Sequence, residues 1–131
     1  MKVKEIVNFL SENDLSDVEV LKSEQDFLLV NFYLDFDKDL LEAAKAYADE
    51  ECKDAGSKEW EQEYYIPYLY DYANDEVLSI VEDITEDFEI AGEFMAFQIK
   101  DKDAEYVQFM TLFTEEDSDV VFEDIVREFV G

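Results

Sequence analysis

The stretch FLLVNFYLDF, residues 27–36, puts Leu28, Val30, Phe32, Leu34 and Phe36 on one face of an extended chain. A helix would scatter these side chains around its axis, so the segment has to be a strand. A single apolar strand face cannot be buried alone. It needs neighbouring strands and a covering layer. The preceding DVEVLK also alternates, and the polar SEQD between the two runs reads as a hairpin loop. On either side the period changes. Val3, Ile6, Val7 and Leu10 form one stripe of an amphipathic helix. DKDLLEAAKAYADEECKDAG reads as a second helix, with Asp37 as its cap, Lys53 in its last turn and Gly56 just past its end. Residues 1–56 therefore read helix, strand, strand, helix.

The same order returns in the second half. Val77, Ile80, Val81 and Ile84 repeat the stripe of the first helix, and EFMAFQIKDKDAEYVQFMTLF makes a hairpin with Val107, Phe109 and Phe113 on one face. DSDVVFEDIVREFVG closes the chain with Phe122, Ile125, Val126 and Phe129 at helical spacing, capped by Asp117 or Ser118. The correspondence is one of pattern, not of identity. The expected fold is α+β and a single domain over 1–131, with one α-β-β-α unit at 1–56, an aromatic connecting segment at 57–73 and a second unit at 74–131. The two hairpins would join into a four-stranded antiparallel sheet covered by helices on one face.

This succession, with the chain's length, its acidity and a closing strand-strand-helix over residues 93–130, loosely resembles the small acidic chaperones that escort secretion effectors. It is similar, too, to the bacterial YbjN-like family. The resemblance implies a helix-on-sheet fold and, for a chaperone, a sheet face as the working surface. It departs at residues 38–55, where a helix stands in place of a third strand.

Charge narrows the function classes. With 37 acids against 10 bases the net charge is -27, and self-repulsion on that scale opposes compaction. Phosphates would be repelled, so direct binding to nucleic acid or to an anionic membrane is not expected. The aromatic content of 15 % is that of a folded chain, since acidic disordered chains are poor in rings. A lone Cys52 allows no intramolecular disulfide, which suits a reducing cytoplasm. At the N-terminus, Glu5 and Asn8 interrupt what would be the apolar core of a signal peptide. No apolar run approaches the ~20 residues that span a bilayer.

Most site chemistry fails on residue type. The chain has no histidine, which removes Ser-His and Cys-His nucleophiles and imidazole zinc sites. Three glycines do not make a phosphate loop. Cys52 follows Glu50 and Glu51, whose charge works against a thiolate, and it reads as a half-buried helix residue. Asp35, Asp37 and Asp39 have the spacing that opens a calcium loop, but Leu40 stands at the glycine position and Ala46 at the closing glutamate. A strand end followed by a helix cap accounts for them better. No catalytic residue, metal or cofactor is expected.

The segment EYYIPYLYDYANDE, residues 63–76, holds five of the eight tyrosines and the only proline. Pro67 fits the first turn of a helix running from about 67 to 88. Its buried stripe would be Leu69, Tyr72, Ala73, Val77, Ile80, Ile84 and Phe88, which makes Tyr72 core and turns Tyr64, Tyr65, Tyr68 and Tyr70 toward a partner. Asp71 lies among them. Farther along, Glu82 with Glu86 and Asp83 with Asp87 are like-charge pairs at i, i+4, each costing the helix roughly 0.2–0.5 kcal/mol. No lysine or arginine occurs between Glu59 and Ile99. A surface of rings and carboxylates suits arginine, by ion pairing and by stacking. The expected function is a non-enzymatic protein-binding module with a basic protein partner, of the inhibitor, immunity-protein or DNA-mimic type. The alternatives are a small acidic chaperone or assembly adaptor and, third, an enzyme using carboxylates and a metal. A homodimer stays open.

Overall fold

The computed structural model describes residues 1–130. In chain order the elements are α1 (Val3–Glu12), β1 (Leu15–Ser23), β2 (Phe27–Asp35), α2 (Lys38–Glu51), a π-helical segment (Trp60–Tyr65), α3 (Ile66–Phe88), β3 (Ala91–Ala96), β4 (Tyr106–Thr114) and α4 (Phe122–Val130). The four strands form one antiparallel sheet in the order β1-β2-β4-β3. Each hairpin supplies its more deeply buried strand to the centre, where β2 and β4 pair without interruption from Phe27↔Thr114 to Asp35↔Tyr106. The α+β class, the antiparallel sheet and the twice-used α-β-β-α order are as the patterning implies.

The register explains the core. Leu28, Val30, Phe32 and Leu34 stand opposite Phe113, Thr111, Phe109 and Val107. Their shared face is closed by Ile6 and Leu10 of α1, Leu40, Ala44 and Ala48 of α2, and the Leu69-to-Ile84 stripe of α3. Helix α2 starts where Asp37, in extended backbone, accepts the Leu40 N–H on Oδ1 at 2.7 Å. That bond satisfies an orphan donor of the first turn. Helix α3 ends on Glu89 in the left-handed region (φ 56°), and Gly92 follows at once against it. A Cβ on Gly92 would lie 2.9 Å from Val81 Cγ1 and 3.0 Å from Thr85 Cγ2, so glycine is what lets α3 settle on β3.

Several local expectations need correction. Helical cover is not confined to one face. Three helices lie on one side, but Val126 of α4 packs with Phe27, Leu29, Met110 and Leu112, the alternate row of the central strands. Those four side chains would otherwise meet water, and a helix across them removes that cost. Residues Asp117 and Ser118 do not cap α4, whose first residue is Phe122. Ser118 Oγ instead donates to Asp26 Oδ2 at 2.9 Å and accepts the Val120 N–H, fixing the link that crosses the sheet edge. Helix α2 stops at Glu51, ahead of Lys53. Cys52 is its extended, buried cap and not a helix residue.

One polar atom in the centre is unmet. Thr111 is fully buried between Val30 and Phe94, and its Oγ1 has no hydrogen-bond partner. Burying an unpaired hydroxyl costs about 1–3 kcal/mol, and valine has nearly the same shape. Thr111→Val should therefore raise stability by about 1–2 kcal/mol, seen as a higher urea midpoint at unchanged slope. A lower midpoint would mean that the hydroxyl is satisfied in solution.

Candidate functional site

The tyrosine segment begins earlier than its proline suggests. Ser57 Oγ accepts the Trp60 N–H at 3.1 Å, and the chain is helical from residue 58 through 88. Over Trp60–Tyr65 the hydrogen bonding widens to the π register, so that the Ile66 N–H reaches Glu61 O, five residues back. Pro67 follows directly. In a straight α-helix its ring would strike the carbonyl four residues back, and a wide turn just before it relieves that contact.

This geometry divides the tyrosines into two sets. Tyr65 is buried and stacks on Trp60, with ring centroids 4.8 Å apart and planes 13° from parallel. Tyr70 is half-buried; its hydroxyl donates to Phe97 O at 3.1 Å and accepts the Ile99 N–H, tying α3 to the loop between β3 and β4. Both of these side chains serve packing. The expectation for Tyr72 is overturned in the other direction, since it is 41 % exposed. The buried stripe of α3 is centred on Leu69, Ala73, Val77 and Ile80, and the residue before Ala73 is turned away by about 100°.

The other set lies between α2 and α3, with Tyr47 and Tyr72 exposed and Tyr64 and Tyr68 half-buried against the core. Tyr47, on α2 and 42 % exposed, faces Tyr68 at 5.3 Å and Tyr64 at 6.4 Å. Tyr47, Tyr68 and Tyr72 line a groove of about 340 Å³ whose rim carries Glu63, Asp71 and Asp75. Sequence patterning does not single out Tyr47. Its signal is a lone tyrosine on the solvent side of an alanine-rich helix, where an aromatic has no packing reason to be. Burial pushes the Tyr72 hydroxyl above its ordinary value of 10.0, helped by Glu76 and Asp37. Tyr64 moves the same way, through burial and then Glu59. These phenols stay neutral and can donate hydrogen bonds.

Glu82, Asp83, Glu86 and Asp87 are all exposed and belong to the last turns of the same helix. They do not border the groove. Asp71, Asp75, Glu82 and Glu86 recur along one solvent side of α3, a ridge of roughly 22 Å at 1.5 Å per residue. Leu78, 44 % exposed, interrupts the carboxylates midway. None of these acids forms an ion pair among the described residues; the cations pair with Glu5, Glu42, Glu115, Asp124 and Glu128 instead. No group of three acids or thiols converges to hold a metal ion among the described residues. No helix there is long and apolar enough to cross a membrane. In comparisons with protein-family models, curated proteins and solved structures, the chain has no match.

Proposed function

We propose that this chain is a non-enzymatic module that binds a basic protein, with arginine side chains seated in the groove between α2 and α3. The observation that carries this reading is the meeting of three rings, Tyr47, Tyr68 and Tyr72, with three carboxylates, Glu63, Asp71 and Asp75. A guanidinium can lie flat on a tyrosine ring while its N–H groups reach a carboxylate, and few other side chains do both. The net charge of -27 then draws a cationic partner from a distance and accelerates encounter. The acidic ridge of α3 extends the contact beyond the groove, as an inhibitor, an immunity protein or a DNA mimic would need. We place the chaperone reading second, because its working surface would be a sheet face. One face carries three helices and the other has α4 across Leu29 and Leu112.

The test is retention and salt elution. The immobilised chain should retain basic cytosolic proteins at ~0.1 M NaCl and release them by ~0.5 M, as the screening length falls from about 10 Å toward a few. Partners that are neutral, or that hold at ~1 M salt, would sink the reading and favour an apolar contact.

A further inference from the structure

A second cleft, larger than the tyrosine groove, is on the other side of the π-helical segment. It measures about 680 Å³ and lies between α2, the turn at 53–57 and the loop joining β3 to β4. Its volume is within the range of small-molecule pockets. Its apolar wall is Leu41, Ala55 and the stacked pair Trp60 and Tyr65. That pair exists because of the π turn. In an α-helix, residues five apart lie about 140° from each other, so Trp60 and Tyr65 could not stack.

The polar groups of this cavity are unlike the rest of the surface. In a chain with 10 bases against 37 acids, three lysines, Lys38, Lys45 and Lys102, line one pocket. Two of its acids have partners: Asp49 Oδ1 accepts the neutral Trp60 indole N–H at 2.9 Å and keeps its charge, and Glu42 pairs with Lys38 at 3.9 Å. Lys45 and Lys102 have no carboxylate within 4.0 Å among the described residues, and the lining sets them against two acids without an ion pair, Asp49 and Asp103. Tyr65 is 6 % exposed, yet its hydroxyl makes no hydrogen bond to a described residue. The enclosed partnerless side-chain oxygen is that of Thr111, so the Tyr65 hydroxyl keeps access to space, and the cavity it lines supplies that access. Burial, and then the Asp103 carboxylate, push this hydroxyl above its ordinary value, so it stays a neutral donor open to the cavity.

We infer that this cavity is a binding site for a small organic anion with a flat apolar ring. The ring lies against Leu41, Ala55 and the edge of Trp60, while Lys45, Lys102 and the Tyr65 hydroxyl hold the anionic group. The loop that carries Lys102 is tied to the π-helical segment, since the Lys102 N–H donates to Glu61 Oε2 at 2.9 Å. The site is separate from the tyrosine groove, and binding here would leave the acidic ridge uncovered.

Trp60 is the only tryptophan and reports the pocket directly. The full chain would be titrated with naphthalene-2-carboxylate and, in parallel, with the uncharged naphthalene-2-carboxamide, following Trp60 emission and backbone amide NMR shifts. The carboxylate should bind one-to-one and saturate, with the amide at least tenfold weaker. Lys45→Ala with Lys102→Ala should weaken the carboxylate at least tenfold while the chain stays folded, because both side chains are exposed and unpaired among the described residues. Tyr65→Phe should weaken it severalfold. Failure to saturate by millimolar carboxylate, equal binding of the amide, or an unchanged affinity in the lysine double variant would each overturn the assignment. NMR shifts confined to the Tyr47 and Tyr72 region would do the same.

Discussion

Phe109→Ala should destabilise the fold by about 3–5 kcal/mol, the largest effect expected of any single truncation here. Phe109 is fully buried at the middle of β4, pairs in register with Phe32, and touches rings on both sides. Its centroid is 5.9 Å from Phe32 and 6.0 Å from Phe94, so one truncation removes two aromatic pairings from three adjacent strands. Each such pairing adds roughly 0.5–1.5 kcal/mol beyond area alone. Domains of this size have about 5–15 kcal/mol in total, and a net charge of -27 works against compaction throughout. The variant should therefore be close to its threshold at low salt and recover in ~0.5 M NaCl, where like-charge repulsion is screened. Urea titrations at both salt concentrations measure this. Leu78→Ala is the comparison: that side chain is 44 % exposed and should shift stability by under about 0.5 kcal/mol. If Phe109→Ala cost less than about 1 kcal/mol, β2 and β4 would not be the centre of the core.

Much of that core is legible because two periods are clean. The even positions from Leu28 to Leu34, and Val107, Phe109 and Phe113, announce one buried strand face each, while the strand order and the pairs across β2 and β4 come from the structure. The position of α4 is not legible from its own stripe. Phe122, Ile125 and Val126 say that a helix is buried, not on which side of a sheet. The signal lies elsewhere, in Phe27 and Leu29, which make β2 apolar on both faces, and a strand apolar on both faces needs cover on both. The two halves diverge at the same point. The seven residues from 115 to 121 carry α4 over the sheet edge, whereas α2 stays with the first layer.

The site is half legible for a related reason. Periodicity fixes the mean direction of a stripe but leaves its flanks uncertain, and Tyr72 sits on a flank. The π turn hides the rest. It inserts an extra residue into the helical repeat, so a phase counted from Leu69 cannot be carried back across it to Trp60, which an α-helical count places on the opposite side although it is buried. Tyr65, four residues before Leu69 and so about 40° from it, continues the buried stripe, which a count begun at Leu69 leaves out. The exposed acids at Asp71, Glu82, Asp83, Glu86 and Asp87 are where charge patterning places them, because so many carboxylates can only be solvated.

Tyr47→Ala combined with Tyr72→Ala should abolish the chain's preference for arginine over lysine while leaving it folded. Each ring is about two-fifths exposed, and alanine recovers roughly 0.5 kcal/mol of helix propensity per site, which offsets part of the ring packing that truncation removes. The net change in stability should be within about 1 kcal/mol. The binding probe is a deca-arginine peptide set against a deca-lysine peptide of equal charge. Both will be attracted to a surface with 37 acids, so attraction alone decides nothing. Only arginine gains from lying on the rings. Two exposed cation–π contacts at about 0.5–1 kcal/mol each predict a preference of roughly tenfold in the native chain. In the double variant that ratio should fall to about one, with lysine affinity nearly unchanged. Tyr70→Phe is the control with the opposite profile. It removes the hydroxyl that joins Phe97 O and the Ile99 N–H, so stability should fall by about 1–3 kcal/mol while the ratio stays near ten. Equal binding of both peptides to the native chain would show that the groove does not read guanidinium. A ratio that survives loss of Tyr47 and Tyr72 would place the recognition on the α3 ridge, with Asp75, Leu78 and Glu82 as the residues to change next.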